Sequence, residues 1–150
     1  MTEVITIVYR LGSRGEMSAD DVLDAHLFHA KSNDNRVLFT VPTQNNTKVG
    51  KKRKDIDNII LTLKDGSKAL FAELDDYGSY PCKYPDPIYK LPYQWNPSQE
   101  IDQGYTWFAL RGVKEISKEE LDSYKTMNEN EYPILQSLSG APCRVYGTKK

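Results

Sequence analysis

The chain has 150 residues, of which 39% are hydrophobic, 27% charged and 11% aromatic, a balance that suits one ordinary globular domain and excludes disorder, collagen and a membrane bundle. Twenty Lys and Arg stand against 21 Asp and Glu, a formal net charge of −1, so the chain is neither a wholesale polyanion binder nor an acidic mimic of DNA. Any nucleic-acid site must be local.

Val4 to Tyr9 is β-branched and aromatic and reads as an opening strand, broken by Gly12 and Gly15. Ser18 stands three positions before Asp21, a variant of the capping box, and Val22, Leu23, Leu27 and Ala30 recur at helical spacing to about Ser32. Arg36 to Val41 reads as a second strand, closed by Pro42 and a polar stretch. Lys48 to Lys54 then places five cations in seven residues around Gly50. Asn58 to Leu63 and Lys68 to Leu74 flank Asp65-Gly66, which predicts a hairpin with a tight type I′ turn. Both runs are nearly continuously apolar, which predicts burial on both faces.

From Tyr77 to Pro97 there are five prolines, five tyrosines and Trp95, a composition that predicts a long, ordered, aromatic loop. Asp75-Asp76 before it reads as a solvated turn. Tyr105 to Arg111 resumes a strand, and Ser117-Lys-Glu-Glu120 opens a helix to about Met127. Pro133 to Leu138 predicts a short helical turn or helix, and Cys143 to Tyr146 a last strand. Cys82 and Cys143 read as two reduced thiols, because neither spacing nor surroundings suggest a zinc ribbon or a disulfide framework. The first twenty residues have no signal-peptide pattern and no apolar run reaches membrane length, so a cytoplasmic protein without a membrane partner is expected.

The usual catalytic signatures are absent: no phosphate-binding glycine loop, no His-Glu-x-x-His, no Gly-x-Ser-x-Gly and no Cys-x-x-Cys. Pro85-Asp86 alone does not make a nuclease, since no Asp-x-Lys or Glu-x-Lys tripeptide accompanies it. His26 and His29, with Asp24 or a distant carboxylate, could serve a metal or a scissile bond, but no third ligand or nucleophile is signposted; they read as two partly exposed helical histidines. The expectation is therefore a non-enzyme without cofactor or metal.

The basic run and the aromatic run together suggest nucleic-acid binding, because a splayed base needs a flat apolar surface and a nearby cation for its phosphate. Lys51, Lys52, Arg53 and Lys54 are the candidate phosphate contacts; Trp107, Trp95 and Tyr105 are the candidate base contacts, with Trp107 preferred for its place on a strand. The order of strand Val37 to Val41, basic loop, Asp65-Gly66 hairpin, Tyr89-Lys-Leu-Pro-Tyr-Gln-Trp95 and Tyr105-Thr-Trp-Phe-Ala-Leu110 before a capped helix resembles the PUA-like superfamily, in particular its EVE and ASCH-type domains. The resemblance covers about residues 36–147 and implies an α+β fold, a small twisted mixed β-barrel with peripheral helices, that binds RNA or modified DNA and recognises an unusual base. Residues 3–32 would then be an elaboration on a single domain spanning 1–150. The rival reading is a small protein-interaction factor, a phage anti-defence inhibitor or toxin–antitoxin partner, that uses the Tyr and Pro-rich loop as its surface.

Overall fold

The computed structural model describes residues 5–13, 16–42, 56–80, 82–101, 105–126 and 144–149. Among these the elements run β1 (Ile5–Arg10), α1 (Ala19–Ser32), β2 (Val37–Pro42), β3 (Ile56–Thr62), β4 (Ala69–Ser79), β5 (Tyr105–Ile116), α2 (Lys118–Asp122), β6 (Tyr124–Thr126) and β7 (Arg144–Lys149). The strands form one mixed sheet in the order β2-β5-β4-β3-β1-β7-β6, antiparallel throughout except for the β1–β3 pair. The fold is α+β. Its hydrogen-bonded order starts at β2 and ends at β6, which are not paired with each other among the described residues, so the sheet is open where the sequence suggests a closed barrel. β1 lies inside the sheet, between β3 and β7.

Local chemistry accounts for the elements. In α1, Ser18 Oγ accepts from the Asp21 N–H while the Asp21 carboxylate accepts from the Ser18 N–H, both at 3.2 Å, so the expected capping box is present. After the helix, Asp34 and Asn35 take left-handed φ angles of 55° and 61°, which their short polar side chains tolerate, and the chain reverses into β2.

Strand alternation sends Ile7, Ile59, Leu61, Leu70 and Phe108 to one face, where Val22, Leu23 and Ala30 of α1 close the largest apolar cluster. The opposite face carries two separate covers. α2 and β6 lay Leu121 and Tyr124 over Val8, Ile60 and Ala69, while segment 80–101 lays Tyr89 and Leu91 over Leu38, Trp107 and Ala109. The inner parts of the hairpin strands, Ile59–Thr62 and Ala69–Ala72, are thus covered on both faces, as their continuous apolar runs imply, while the outer half of β4 is exposed on one face.

Four details depart from the sequence reading. The hairpin turn is not type I′: only Gly66 has a positive φ, 72°, and Lys64–Ser67 form a longer connection closed by Leu63 N–H on the Lys68 carbonyl at 3.1 Å. Asp65 accepts from the Ser67 N–H at 2.9 Å and from its hydroxyl at 2.7 Å, an Asx-type arrangement that stabilises the alternative turn and holds the Asp65 carboxyl below its usual pKa.

Next, β4 continues to Ser79, so Asp75 and Asp76 belong to a strand and not to a solvated turn. β5 likewise continues to Ile116 past a bulge at Gly112, whose φ of 61° suits glycine. Finally, α2 stops at Asp122 and Tyr124–Thr126 pair with β7, which replaces the expected helical end by a strand of β-favouring residues. The expected helix at 133–138 lies outside the described residues.

Candidate functional site

Strand directions decide what the sheet brings together. β2 and β4 finish, and β3 and β5 start, at the same end of the sheet; Pro42 is register partner of Tyr105, and Ser79 of Thr106. Since Asn58 pairs with Glu73, the last residues of β4 run past the start of β3. A three-stranded corner of β2, β5 and β4 therefore projects at that end. The chain that contains the basic run leaves this corner at Pro42 and re-enters the sheet at Ile56 on its far side. Lys51, Lys52, Arg53 and Lys54 themselves lie outside the described residues.

Tyr105 sits on the corner, half-buried, and its carbonyl accepts from the Tyr80 N–H at 2.9 Å. Tyr80 packs against the Leu38–Trp107 cluster and meets Tyr84 edge to face, with ring centroids 5.2 Å apart. Tyr84 is 66% exposed. Its backbone is held nearby, because the Trp107 indole N–H donates to the Lys83 carbonyl at 2.9 Å. Lys83 reaches over the Trp107 ring and forms an ion pair with Asp76 at 2.6 Å.

The two tryptophans differ in exposure. Trp107 is fully buried, with the Gly78 backbone and Lys83 pressed against it, so it offers no free face to a base; its position mid-strand makes it core. Trp95 is half-buried, packed against the cluster that contains Leu38 and Trp107, with its ring centroid 5.1 Å from that of His26 in α1. Tyr84, by contrast, was one of ten tyrosines in the sequence and carried no mark that set it apart from the rest.

Beside the corner, Arg111 lies between Glu73 at 3.4 Å and Asp75 at 3.2 Å, and the Tyr89 hydroxyl donates to Asp75 at 2.7 Å. Burial, then the hydrogen bond and charge of Asp75, push the Tyr89 phenol up to about 12. It holds its proton and anchors the loop to β4. The arrangement is one of structural pairing on an exposed strand face, in which each charge already has an opposite partner.

Both histidines are buried, contrary to the partly exposed reading. His26 Nδ1 is 2.7 Å from the Val22 carbonyl, which assigns it the proton and leaves Nε2 as a lone-pair acceptor. Desolvation lowers His26 to about 4, and His29 is lowered by burial and by the Lys90 charge. Neither ring joins a cluster of three metal-ligating side chains among the described residues.

On the outer side of α1 an open groove of about 540 Å³ is lined by Met17, Ala25, Leu27, Phe28 and Gln94, with Asp21, Asp24 and Lys31 among its walls. Phe28 is 64% exposed there. No helix among the described residues is long and apolar enough to cross a membrane. No family model matches the sequence, and none of the curated proteins matches it.

Proposed function

We propose that the chain is a non-catalytic nucleic-acid-binding domain that takes an unpaired or unusual base at the β2–β5–β4 corner. The observation that carries this reading is the bracketing of the corner by the two ends of the basic segment, Pro42 and Ile56, with Tyr105, Tyr80 and the exposed Tyr84 between them. Lys51, Lys52, Arg53 and Lys54 would neutralise phosphates, while Tyr84 and Tyr105 take the stacking role that the burial of Trp107 removes from it. The resemblance to PUA-like EVE and ASCH-type domains belongs to this proposal. Support for it comes from the element order and from the bulges at Asp75 and Gly112, which bend and twist a sheet in the manner that small barrels need.

Salt titrations with single-stranded RNA, single-stranded DNA and modified duplexes test it. Neutralising the four cations together should flatten the log–log salt dependence by roughly 0.7 to 0.9 per lost phosphate contact, for every sequence alike. Tyr84→Ala should leave that slope unchanged and weaken binding by about 1 to 3 kcal/mol. Absence of binding at low salt would overturn the reading. The groove beside Phe28 favours a second one, a protein-interaction factor, and a stoichiometric complex lost on Phe28→Asp would support that instead.

A further inference from the structure

We propose that His26 and His29 form a proton-operated latch that holds segment 88–101 against α1 and β2 at neutral pH and lets it go in acid, while the sheet stays folded. The two imidazoles lie one helical turn apart on the buried side of α1, and the segment closes directly over them. His26 touches Trp95 at 5.1 Å and Phe39 of β2 at 5.6 Å; His29 touches Tyr93 at 5.7 Å. Each ring keeps a buried Nε2 without a hydrogen-bond partner among the described residues. A proton added there would create a charged donor with nothing to accept from it, so protonation and docking compete.

Among the described residues, the charges identified as acting on the rings are cationic. From α1 each histidine faces the other, from β2 the neighbour is Phe39, and from the segment come Trp95, Tyr93 and the cation Lys90. Two protonated imidazoles beside Lys90 would repel one another, and outward movement of the segment is the motion that relieves them. Opposing it are the bonds from Leu38 N–H to the Lys90 carbonyl at 2.9 Å, from Asn33 Nδ2 to the Ile88 carbonyl at 3.0 Å and from the Tyr89 hydroxyl to Asp75 at 2.7 Å, together with the burial of Tyr89 and Leu91 against Leu38 and Trp107.

The direction follows from linkage. His26 is lowered from 6.5 to about 4 when docked, so the open form binds more protons as pH falls below 6.5, and the advantage levels off below 4. Relative to pH 7, the opening constant from His26 alone rises by about twentyfold at pH 5 and about a hundredfold at pH 4. His29, lowered as well, adds in the same sense.

The experiment follows three signals from pH 7.5 to 4 on the full chain: tryptophan fluorescence, far-ultraviolet circular dichroism, and exchange protection of the Leu38 amide. Trp95 should shift to the red and Leu38 should lose protection while the dichroism and the amides of the β3–β4 ladder hold. Trp95→Phe should abolish the fluorescence step, which assigns it to the segment and not to Trp107. His26→Leu with His29→Leu should push the step to lower pH or remove it; if that pair of changes prevents folding, histidine ring resonances of the parent chain must show protonation in step with Leu38 deprotection. Coincident loss of all signals, a step unmoved by the histidine changes, or no step above pH 4 would overturn the latch.

Discussion

One face of the sheet is covered twice, by regular structure over β1, β3 and β4 and by irregular chain over β2 and β5, and the two covers solve the same problem by different means. A helix satisfies its own backbone groups, so α2 needs from its side chains little more than Leu121 for burial and Ser117 for the first turn, where Ser117 Oγ accepts from the Glu120 N–H at 3.1 Å. Segment 82–101 has no helix or strand among its described residues. Gln99 ties it together with its amide, which accepts from the Leu91 N–H at 2.8 Å and donates to the Leu91 carbonyl at 2.7 Å. The Trp107 indole and Tyr89 hydroxyl add two more anchors to Lys83 and Asp75. An irregular cover therefore concentrates its stability in a few polar side chains, whereas a helical one spreads it along the backbone.

Substitutions can break this contrast, and their expected sizes rank it. Trp107→Ala removes the largest buried ring together with its bond to Lys83, and urea unfolding should show a loss of roughly 3 to 5 kcal/mol. Gln99→Ala orphans both polar groups of Leu91 and should cost roughly 2 to 3 kcal/mol, with faster exchange at the Leu91 amide. At Gly78 a Cβ would meet the Trp107 ring and Lys83 Cδ at 2.9 Å, so Gly78→Ala should cost about 1 to 2 kcal/mol through overpacking, read from the same unfolding curves. Ser117→Ala removes a cap from the regular cover and should cost about 1 kcal/mol. A Ser117 effect larger than that of Gln99 would reverse the comparison.

The same contrast explains what the sequence disclosed. β1, β2 and the first halves of the hairpin strands were legible because apolar, β-branched runs say so directly, and Ser18 with Asp21 marked the helix start. The outer half of β4 was not, because Asp75 and Asp76 look like a turn until Arg111, Tyr89 and Lys83 arrive from distant parts of the chain to pair with them. The burial of His26 and His29 was hidden for a similar reason: helical spacing places them on the inner face with Val22 and Ala30, but the rings that cover them belong to residues 93 and 95. Of the candidate residues, Tyr105 lies half-buried at the β2–β5–β4 corner, Trp107 went to the core, and composition alone could not single out Tyr84.

The bond between the Leu38 N–H and the Lys90 carbonyl reaches beyond a single conformation. β2 ends the hydrogen-bonded order of the sheet, and a terminal strand with free amides is a template on which a second chain can crystallise into a growing fibril. With Leu38 occupied, and Pro42 unable to donate at all, that template is blunted at two points along a strand of six residues. The colloidal behaviour of concentrated solutions of this protein, and not only its shape, is thereby tied to how well one proline-rich segment stays in place.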